Sequence, residues 1–363
     1  MERKFPFYRG CLLGLAIGDA MGYPVDSKNW EEIQRDYGPN GLLGYDLQHD
    51  YADITSYTQL AVFAANGLLA GMTRAGTGKL SQYLAAALRE WAKGQQSRSA
   101  GERGLCWAMQ IPAMRRRQCM DTRMTDTLTR QNLGSLEQPT NGFTAPSALT
   151  AAAAVGMFFA PERMEPRQVG ILGAEAVALT HGDPETFLTG AVLAYTLAGL
   201  LQDPDHPLAD QFTQAADAVR GQFGSRYPQE TAAIAAKLRK AISLVKHTEL
   251  TSVEVMTLLE CKTASECLAG AAYASLIHPA NFDAAVIAAV NHSGRSCAVG
   301  AITGAVLGAK LGEEALPEFY LESLEPKDTL CVLAEDLVRG RQVARIFDDS
   351  WDQKYIQGWP VLE

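Results

Sequence analysis

The chain has 363 residues, of which 47% are hydrophobic and 20% charged, the make-up of a soluble globular protein with a sizeable core. Its formal net charge is −9, and because nucleic-acid and anionic-membrane surfaces need clustered basic charge, neither is an expected partner. The seven cysteines include no C-x-x-C pair, which indicates free thiols in a reducing cytoplasm.

The apolar stretches favour buried helices over membrane spans. The uncharged apolar runs 186–201 and 144–160 are rich in Ala, Thr or Gly and shorter than the roughly 20 residues that cross a bilayer. The N-terminal segment lacks the apolar core of a secretion signal. We therefore expect a cytoplasmic protein.

Helical periodicity runs through the chain, and no stretch alternates apolar and polar residues as a strand does. The prediction is an all-α protein in one compact domain, residues 1–363. The predicted helices are one that ends near Gly22, one from Thr55 or Ser56 toward Gly71, then 79–95, 147–158, 167–180, 184–202, 207–223, 229–246, 264–277, 282–290, one after the 291–297 turn, a short one after Pro317, and 329–339. Segment 37–53 is predicted as loop, 96–143 as loosely ordered, and the C-terminal tail as irregular.

Glycines recur every four residues at two places. The first series is Gly10, Gly14, Gly18 and Gly22, and the second is Gly300, Gly304 and Gly308. Because residues four apart share a helix face, each series leaves a bare stripe that another helix backbone can approach closely. We predict that the two stripes pack together and bring Asp19 beside the 292–297 turn.

The 292–297 turn precedes the helix that carries the second glycine series. Free N–H groups and the helix dipole favour an anion at such an N-terminus, so a ligand site is expected there. Close packing alone is the alternative.

Four motifs resemble those of the ADP-ribosylglycohydrolases, a family that includes dinitrogen-reductase-activating glycohydrolases and J1-crystallin relatives. The opening motif is Gly10-x-x-x-Gly14-x-Ala-x-Gly-Asp-Ala-Met-Gly22-x-Pro24-x-Asp26, and the others are Ile54–Gln59, Thr180–Pro184 and Asn291–Gly304. The likeness covers nearly the whole chain. It implies a compact, orthogonal multi-helix fold with a cleft in which two Mg²⁺ ions support attack of water on the anomeric carbon of ADP-ribose.

The magnesium ligands that this resemblance implies are missing. Ser56 and Tyr57 stand in place of paired aspartates, Arg295 and Cys297 replace the aspartates of the last motif, and Ala298 replaces a threonine. Mg²⁺ prefers oxygen ligands that include carboxylates, and a guanidinium repels a divalent cation. We therefore expect no magnesium and no other cofactor, and the ordinary route to an activated water is lacking.

Arg295, at a helix start, offers donors suited to phosphate, carboxylate or ribose oxygens. The expected partner is an ADP-ribose-like small molecule or an ADP-ribosylated protein. The predicted ligand contacts are Asp19, Thr55, Ser56, Tyr57, His181, His292, Ser293, Gly294, Arg295 and Ser296. The alternative for Arg295 is a salt bridge to Asp19 or Asp26 that fills the former metal cavity.

Two residues are candidates for catalysis. Asp26 occupies the position of a family glutamate at the reacting sugar and is the candidate general acid or base, on a shorter stem. Cys297, close to Arg295 at a helix N-terminus, has features that lower a thiol pKa and is the candidate nucleophile. The alternatives are a small buried hydrophobe for Cys297 and, for His181 with Asp183 at a predicted helix start, simple capping by Asp183.

Two further clusters have both a functional and a structural interpretation. Asp46, His49, Asp50 and Asp53 form either a separate metal site or a solvated loop, and Arg115–Arg117 either touch a phosphate or face solvent.

Three functions remain open from the sequence. The first is a binding or regulatory protein without hydrolase activity. The second is a metal-independent N-glycosidase, acting on ADP-ribosyl groups or nucleosides through Asp26 with Arg295 and Cys297. The third is a structural, crystallin-like protein. The oligomeric state is left undetermined.

Overall fold

The computed structural model describes residues 4–48, 50–75, 80–96, 104–340 and 349–360. These ranges contain helices and no β-strand, so the all-α prediction is confirmed. In chain order the helices are α1 (Phe5–Gly22), α2 (Trp30–Tyr37), α3 (Ser56–Ala75), α4 (Leu80–Gln96), α5 (Pro112–Arg115), α6 (Thr122–Leu128), α7 (Leu149–Phe158), α8 (Pro166–Ala178), α9 (Pro184–Gln202), α10 (Leu208–Phe223), α11 (Pro228–Leu244), α12 (Ser252–Leu259), α13 (Ala264–Ile277), α14 (Phe282–Val290), α15 (Ser296–Leu311), α16 (Glu318–Glu322), α17 (Lys327–Arg339) and α18 (Asp349–Tyr355). Short 3₁₀ turns lie at Tyr23–Val25, Trp107–Gln110, Pro146–Ala148 and Glu313–Ala315.

Proline and capping residues mark many helix starts, which is why the predicted bounds fall close to the observed ones. At α9, Asp183 Oδ2 accepts hydrogen bonds from the Thr186 backbone N–H (2.9 Å) and hydroxyl (2.8 Å), and Pro184 is the first helical residue. Such a cap satisfies an N–H that has no partner within the helix. The capping interpretation of Asp183 is confirmed.

Helices α2, α5, α6, α12 and α18 are absent from the sequence prediction, and α5 and α6 lie in the segment 96–143, where no helix is predicted. Helices α2 and α12 are eight residues long and begin with a capping box, Asn29 with Glu32 in α2 and Thr251 with Glu254 in α12. A capping box stabilises a helix of about two turns, which is too short to show a clear apolar periodicity in the sequence. Helix α18 lies within the tail that we predicted as irregular.

Helices α1 and α15 pack antiparallel through the two glycine stripes, as predicted. A Cβ at Gly14 would lie 2.2 Å from the Gly304 carbonyl oxygen, and a Cβ at Gly18 would lie 1.9 Å from the Gly300 oxygen. At the end of the stripe, a Cβ on Gly22 would lie 2.4 Å from the Cys297 nitrogen. The stripes therefore fix where the 292–297 turn meets the end of α1.

Helix α15 forms the centre of the fold, since α3, α7, α9, α13 and α14 also pack against it. Helix α9 is long and apolar enough to cross a membrane by length and composition, but 78% of that stretch is buried inside the protein. A core helix passes the same test, so this feature is weak evidence for a membrane span.

The basic run 115–117 contributes to local packing. Arg116 forms an ion pair with Glu325 and stacks over the Tyr51 ring at 4.2 Å, and Arg117 donates to the Gln96 carbonyl oxygen at 2.9 Å. These contacts favour the structural interpretation of the run.

Candidate functional site

Asp19 is fully buried and caps helix α3. Its Oδ2 accepts hydrogen bonds from the backbone N–H groups of Thr55 (2.8 Å) and Thr58 (3.1 Å) and from the Thr58 hydroxyl (2.6 Å), while the Thr55 hydroxyl donates to Oδ1 (2.6 Å). Burial raises the pKa of this carboxyl to about 6, and the hydrogen bonds oppose that shift. The Asp19 carboxylate therefore caps α3, and its charge also acts on the Cys297 thiol of the nearby 292–297 turn, where burial and this charge raise the thiol pKa.

Ser56 and Tyr57, which the resemblance places where the family has paired aspartates, are both buried. Ser56 donates its N–H to the Gln118 oxygen (2.9 Å) and accepts at Oγ from the Met120 N–H (3.1 Å). Tyr57 is 3% exposed, and its pKa is raised well above the usual value by burial and then by the nearby Asp26. A neutral phenol thus lies where the relatives are expected to hold a carboxylate.

The 291–297 turn is held by its own side chains. His292 is buried, donates from Nε2 to the Ala289 oxygen (2.9 Å) and accepts at Nδ1 from the Gly294 N–H (2.9 Å). Burial lowers its pKa to about 4. The Ser296 hydroxyl donates to the Val290 oxygen at 2.8 Å, and the exposed Ser293 accepts from the Trp30 N–H at 2.8 Å. These contacts assign His292, Ser293 and Ser296 to shaping the turn.

Asp26 and Arg295 meet at the N-terminus of α15. Asp26 has a side chain only 3% exposed, and its Oδ1 accepts from the Cys297 N–H at 3.0 Å. Arg295 Nη1 lies 3.7 Å from Asp26 Oδ2 and donates to Ser27 Oγ at 3.0 Å. Of the two partners expected for Arg295, the structure therefore places it beside Asp26.

Three non-glycine residues with positive φ occur in the described ranges, and two of them, Ser27 and Cys261, accept hydrogen bonds from Arg295. Ser27 (φ 66°) accepts from the guanidinium, and the Cys261 carbonyl (φ 53°) accepts from the Arg295 N–H at 2.8 Å. Glu260 (φ 63°) precedes Cys261. Such backbone conformations cost about 1–3 kcal/mol each and cluster at binding and active sites.

Cys297 is fully buried, and the expected lowering of its thiol pKa is wrong. Burial raises the pKa well above the usual thiol value, and the negative charge of Asp26 acts in the same direction. Arg295 opposes these effects without overcoming them. The thiol is therefore protonated at neutral pH, as in an inert structural cysteine. All seven cysteines are unpaired.

These side chains do not fit a dimagnesium centre. The Thr55 hydroxyl and Asp19 are bonded to each other, the Asp26 carboxylate caps α15, and the remaining positions hold a phenol, a guanidinium and a protonated thiol. Mg²⁺ requires an octahedron of oxygen ligands, normally with free carboxylates. In the described part of the chain, no group of three or more His, Cys, Asp or Glu side chains is arranged to hold a metal.

His181 lies in a neighbouring cluster whose other members the sequence analysis missed. His181 is buried, with Nε2 3.0 Å from Ser147 Oγ and Nδ1 2.8 Å from Thr180 Oγ1, and burial lowers its pKa to about 4. Ser147 also donates to Asp121 (3.4 Å), which forms an ion pair with Arg123. The sequence signal for this cluster is weak, because Asp121 and Arg123 lie in the loosely patterned 96–143 segment.

The predicted site residues thus fall into two adjoining groups. Asp26, Tyr57 and the 292–297 turn come together, while His181 lies with Ser147 and Asp121. Ser56 connects the groups, since it binds the backbone at Gln118 and Met120, directly before Asp121.

The predicted cluster of Asp46, His49, Asp50 and Asp53 lies partly outside the described residues, because His49 is among those not described. Asp46 accepts from the Tyr37 hydroxyl (2.6 Å) and from Gln48 Nε2 (2.9 Å). These contacts are those of a carboxylate integrated into a loop.

Comparisons with known proteins give a family and a fold. The model of the ADP-ribosylglycohydrolase family matches residues 2–346. A solved structure described as an ADP-ribosylglycohydrolase-related protein complex is similar over 94% of this chain and 100% of that one, with a TM-score of 0.58 and 20% identity. The comparison with curated proteins finds no match.

Proposed function

Since the chain belongs to the ADP-ribosylglycohydrolase family, we propose that it is a non-hydrolytic member that recognises ADP-ribose or a related nucleotide at the 293–297 turn. The observation that carries the proposal is the strained backbone around Arg295. Ser27 and Cys261, both with positive φ, accept hydrogen bonds from one arginine at a helix N-terminus, and a cost in backbone energy at such a place is typical of a binding site.

Arg295 retains the capacity to bind oxygen atoms. Its side chain is 43% exposed, and within the described part of the chain only Nη1 of the guanidinium has a hydrogen-bond partner. The remaining donors match the planar oxygens of a phosphate. Asp26 lies beside them but is almost fully buried and accepts from Ser27 and from the Cys297 N–H, so the phosphate oxygens are the groups that Arg295 would recognise.

Loss of hydrolysis follows from the donor set. The family is expected to activate water with magnesium, and the side chains at this place supply no ligand set for that ion. Cys297 offers no thiolate, since burial and Asp26 raise its pKa. We therefore propose that neither magnesium nor another cofactor takes part.

Binding and turnover are separated by assaying the protein with ADP-ribose, ADP-ribosyl-arginine and ADP-ribosyl-serine, each with EDTA and with Mg²⁺. We expect ADP-ribose to bind and neither conjugate to be cleaved. Arg295→Met should weaken ADP-ribose binding about tenfold, because this is the loss of affinity expected when one charge-assisted hydrogen bond is removed. Arg220→Met is the matched control, because Arg220 pairs with Asp217 on the exposed face of α10. If wild-type protein neither binds ADP-ribose nor cleaves the conjugates, the structural, crystallin-like function is the one that remains.

One observation favours a second candidate, the metal-independent N-glycosidase. Burial raises the pKa of Asp26, and a carboxyl with a raised pKa is suited to general acid catalysis. This function predicts release of ADP-ribose that EDTA does not inhibit and that Asp26→Asn abolishes. If cleavage is absent with wild-type protein, the glycosidase is excluded.

A further inference from the structure

A cavity of about 370 Å³ lies between the end of α1, helix α2 and the loop that follows it. Its lining includes Tyr23, Tyr37, Tyr45, Lys28, Asp46 and Asp53. None of the residues that we assigned to the ADP-ribose site lines this cavity, so it is a separate feature. Its volume falls in the range of small-molecule sites.

The wall of this cavity combines aromatic rings with negative charge. Three tyrosines contribute rings from three different segments, and Asp46 and Asp53 contribute carboxylates. A cation gains energy over the face of a tyrosine ring, and more when the site is shielded from water. Two carboxylates at the same wall add direct attraction, whereas they repel an anion.

Among the described residues that line the cavity, Lys28 is the one cation, and its charge already has partners. Its Nζ lies 2.9 Å from Asp36 Oδ2 and 5.3 Å from the centre of the Tyr37 ring. The Tyr37 hydroxyl in turn donates to Asp46. The cavity therefore already holds one alkylammonium group on an aromatic face.

Tyr45 adds a second observation. Its hydroxyl oxygen is buried and has no hydrogen-bond partner in the described ranges, although its ring packs edge-on against Tyr320 at 4.9 Å. Buried polar atoms without a partner are rare and call for a bound water or ligand. The rim is accessible, since Lys28 is 33% exposed and Gln48 is exposed.

We propose that this cavity binds a small organic cation, an alkylated ammonium group carried by a free molecule or by a modified lysine side chain. The rings provide the faces for the cation, and Asp46 with Asp53 provides the balancing charge. This site is independent of the ADP-ribose proposal because the two share no residue.

The test compares choline with 3,3-dimethyl-1-butanol, its neutral isostere of the same shape, by calorimetric titration of the full chain. We expect choline to bind and the neutral alcohol to bind at least tenfold more weakly, since only the cation interacts with the rings and carboxylates. A peptide with trimethyl-lysine, titrated in parallel, decides between the two sources: tighter binding than choline indicates a protein-borne group, and weaker binding a free molecule. Equal binding of choline and the alcohol, or no binding of choline or peptide, would overturn the proposal.

Two variants should change the affinity in opposite directions. Asp46→Asn keeps an acceptor for Tyr37 and removes a charge, so choline binding should weaken about tenfold. Lys28→Met removes a like charge, so choline binding should strengthen about threefold. Circular dichroism of each variant checks that it is folded. Weaker choline binding by a folded Lys28→Met protein would contradict the assigned charge.

Discussion

His292 illustrates, at the scale of one residue, a predicted ligand contact that the fold uses for itself. Both ring nitrogens are bonded within the turn, to the Ala289 oxygen and the Gly294 N–H. A sequence shows that a histidine precedes a glycine, but not that its ring is buried and neutral. The hydrogen-bond pattern therefore had to come from the structure.

The pKa of His292 leads to a pH-dependent contribution to stability. Burial lowers that pKa from 6.5 to about 4, so between these values the unfolded chain binds a proton that the native protein does not. The stabilisation by the neutral ring is present above about pH 6.5 and is lost as the pH falls toward 4. His292→Gln should lower the free energy of unfolding by about 2–3 kcal/mol at pH 7.5.

Urea unfolding at pH 7.5, 5.5 and 4.5 measures this effect. The difference between wild type and His292→Gln should shrink steadily on acidification. His247→Gln is the control, because the His247 ring is exposed and, in the described chain, forms a hydrogen bond only with nearby Glu249. A His292→Gln difference that stays constant with pH would show that the ring is not kept neutral by the fold.

The resemblance to the family implies that four side chains stand where a magnesium site has aspartates, and substituting all four tests that expectation. The variant combines Ser56→Asp, Tyr57→Asp, Arg295→Asp and Cys297→Asp. We expect it to bind Mg²⁺ and to gain thermal stability when Mg²⁺ is added, because the ligand set then contains carboxylates. Ser56→Asp with Tyr57→Asp alone, which keeps Arg295, should show no such gain. A folded fourfold variant that is indifferent to Mg²⁺ would refute the assignment of these positions.

At the scale of elements, the contact between α1 and α15 was predictable and several loops were not. A four-residue glycine period has one simple consequence, a bare helix face, and the structure has the two faces in contact. The turn at Glu260 and Cys261 was not predictable, since neither residue favours positive φ. Its conformation is imposed by tertiary contacts such as the hydrogen bond from Arg295.

The close approach of the two helices is tested by adding one methyl group. A Cβ at Gly304 would lie 1.9 Å from the Gly14 oxygen, so Gly304→Ala should force the helices apart and destabilise the protein by about 2–4 kcal/mol. Gly221→Ala is the matched control in α10, where a Cβ meets nothing within 4 Å. It should stabilise by about 0.5–1 kcal/mol. Thermal unfolding of both variants gives the comparison, and equal effects would contradict it.

At the scale of the whole molecule, helix α3 connects Asp19 near the 292–297 turn to the C-terminal segment. Its first turn is capped by Asp19. Near its last turn, Arg74 donates to the carbonyl oxygens of Ile356 and Trp359 in the C-terminal segment. The family accounts for the overall fold. The fold was therefore predictable from the motifs that match the family, whereas the hydrogen bonds within the 292–297 turn and the positive-φ residues beside it were not.

For the whole protein, we propose that ADP-ribose binds without magnesium and is not cleaved. Calorimetric titration of ADP-ribose in EDTA and again in excess Mg²⁺ distinguishes this claim from a metal-dependent site. We predict the same dissociation constant in both buffers. Binding that requires Mg²⁺, or is markedly tighter with it, would contradict the claim and restore a metal site to the cleft.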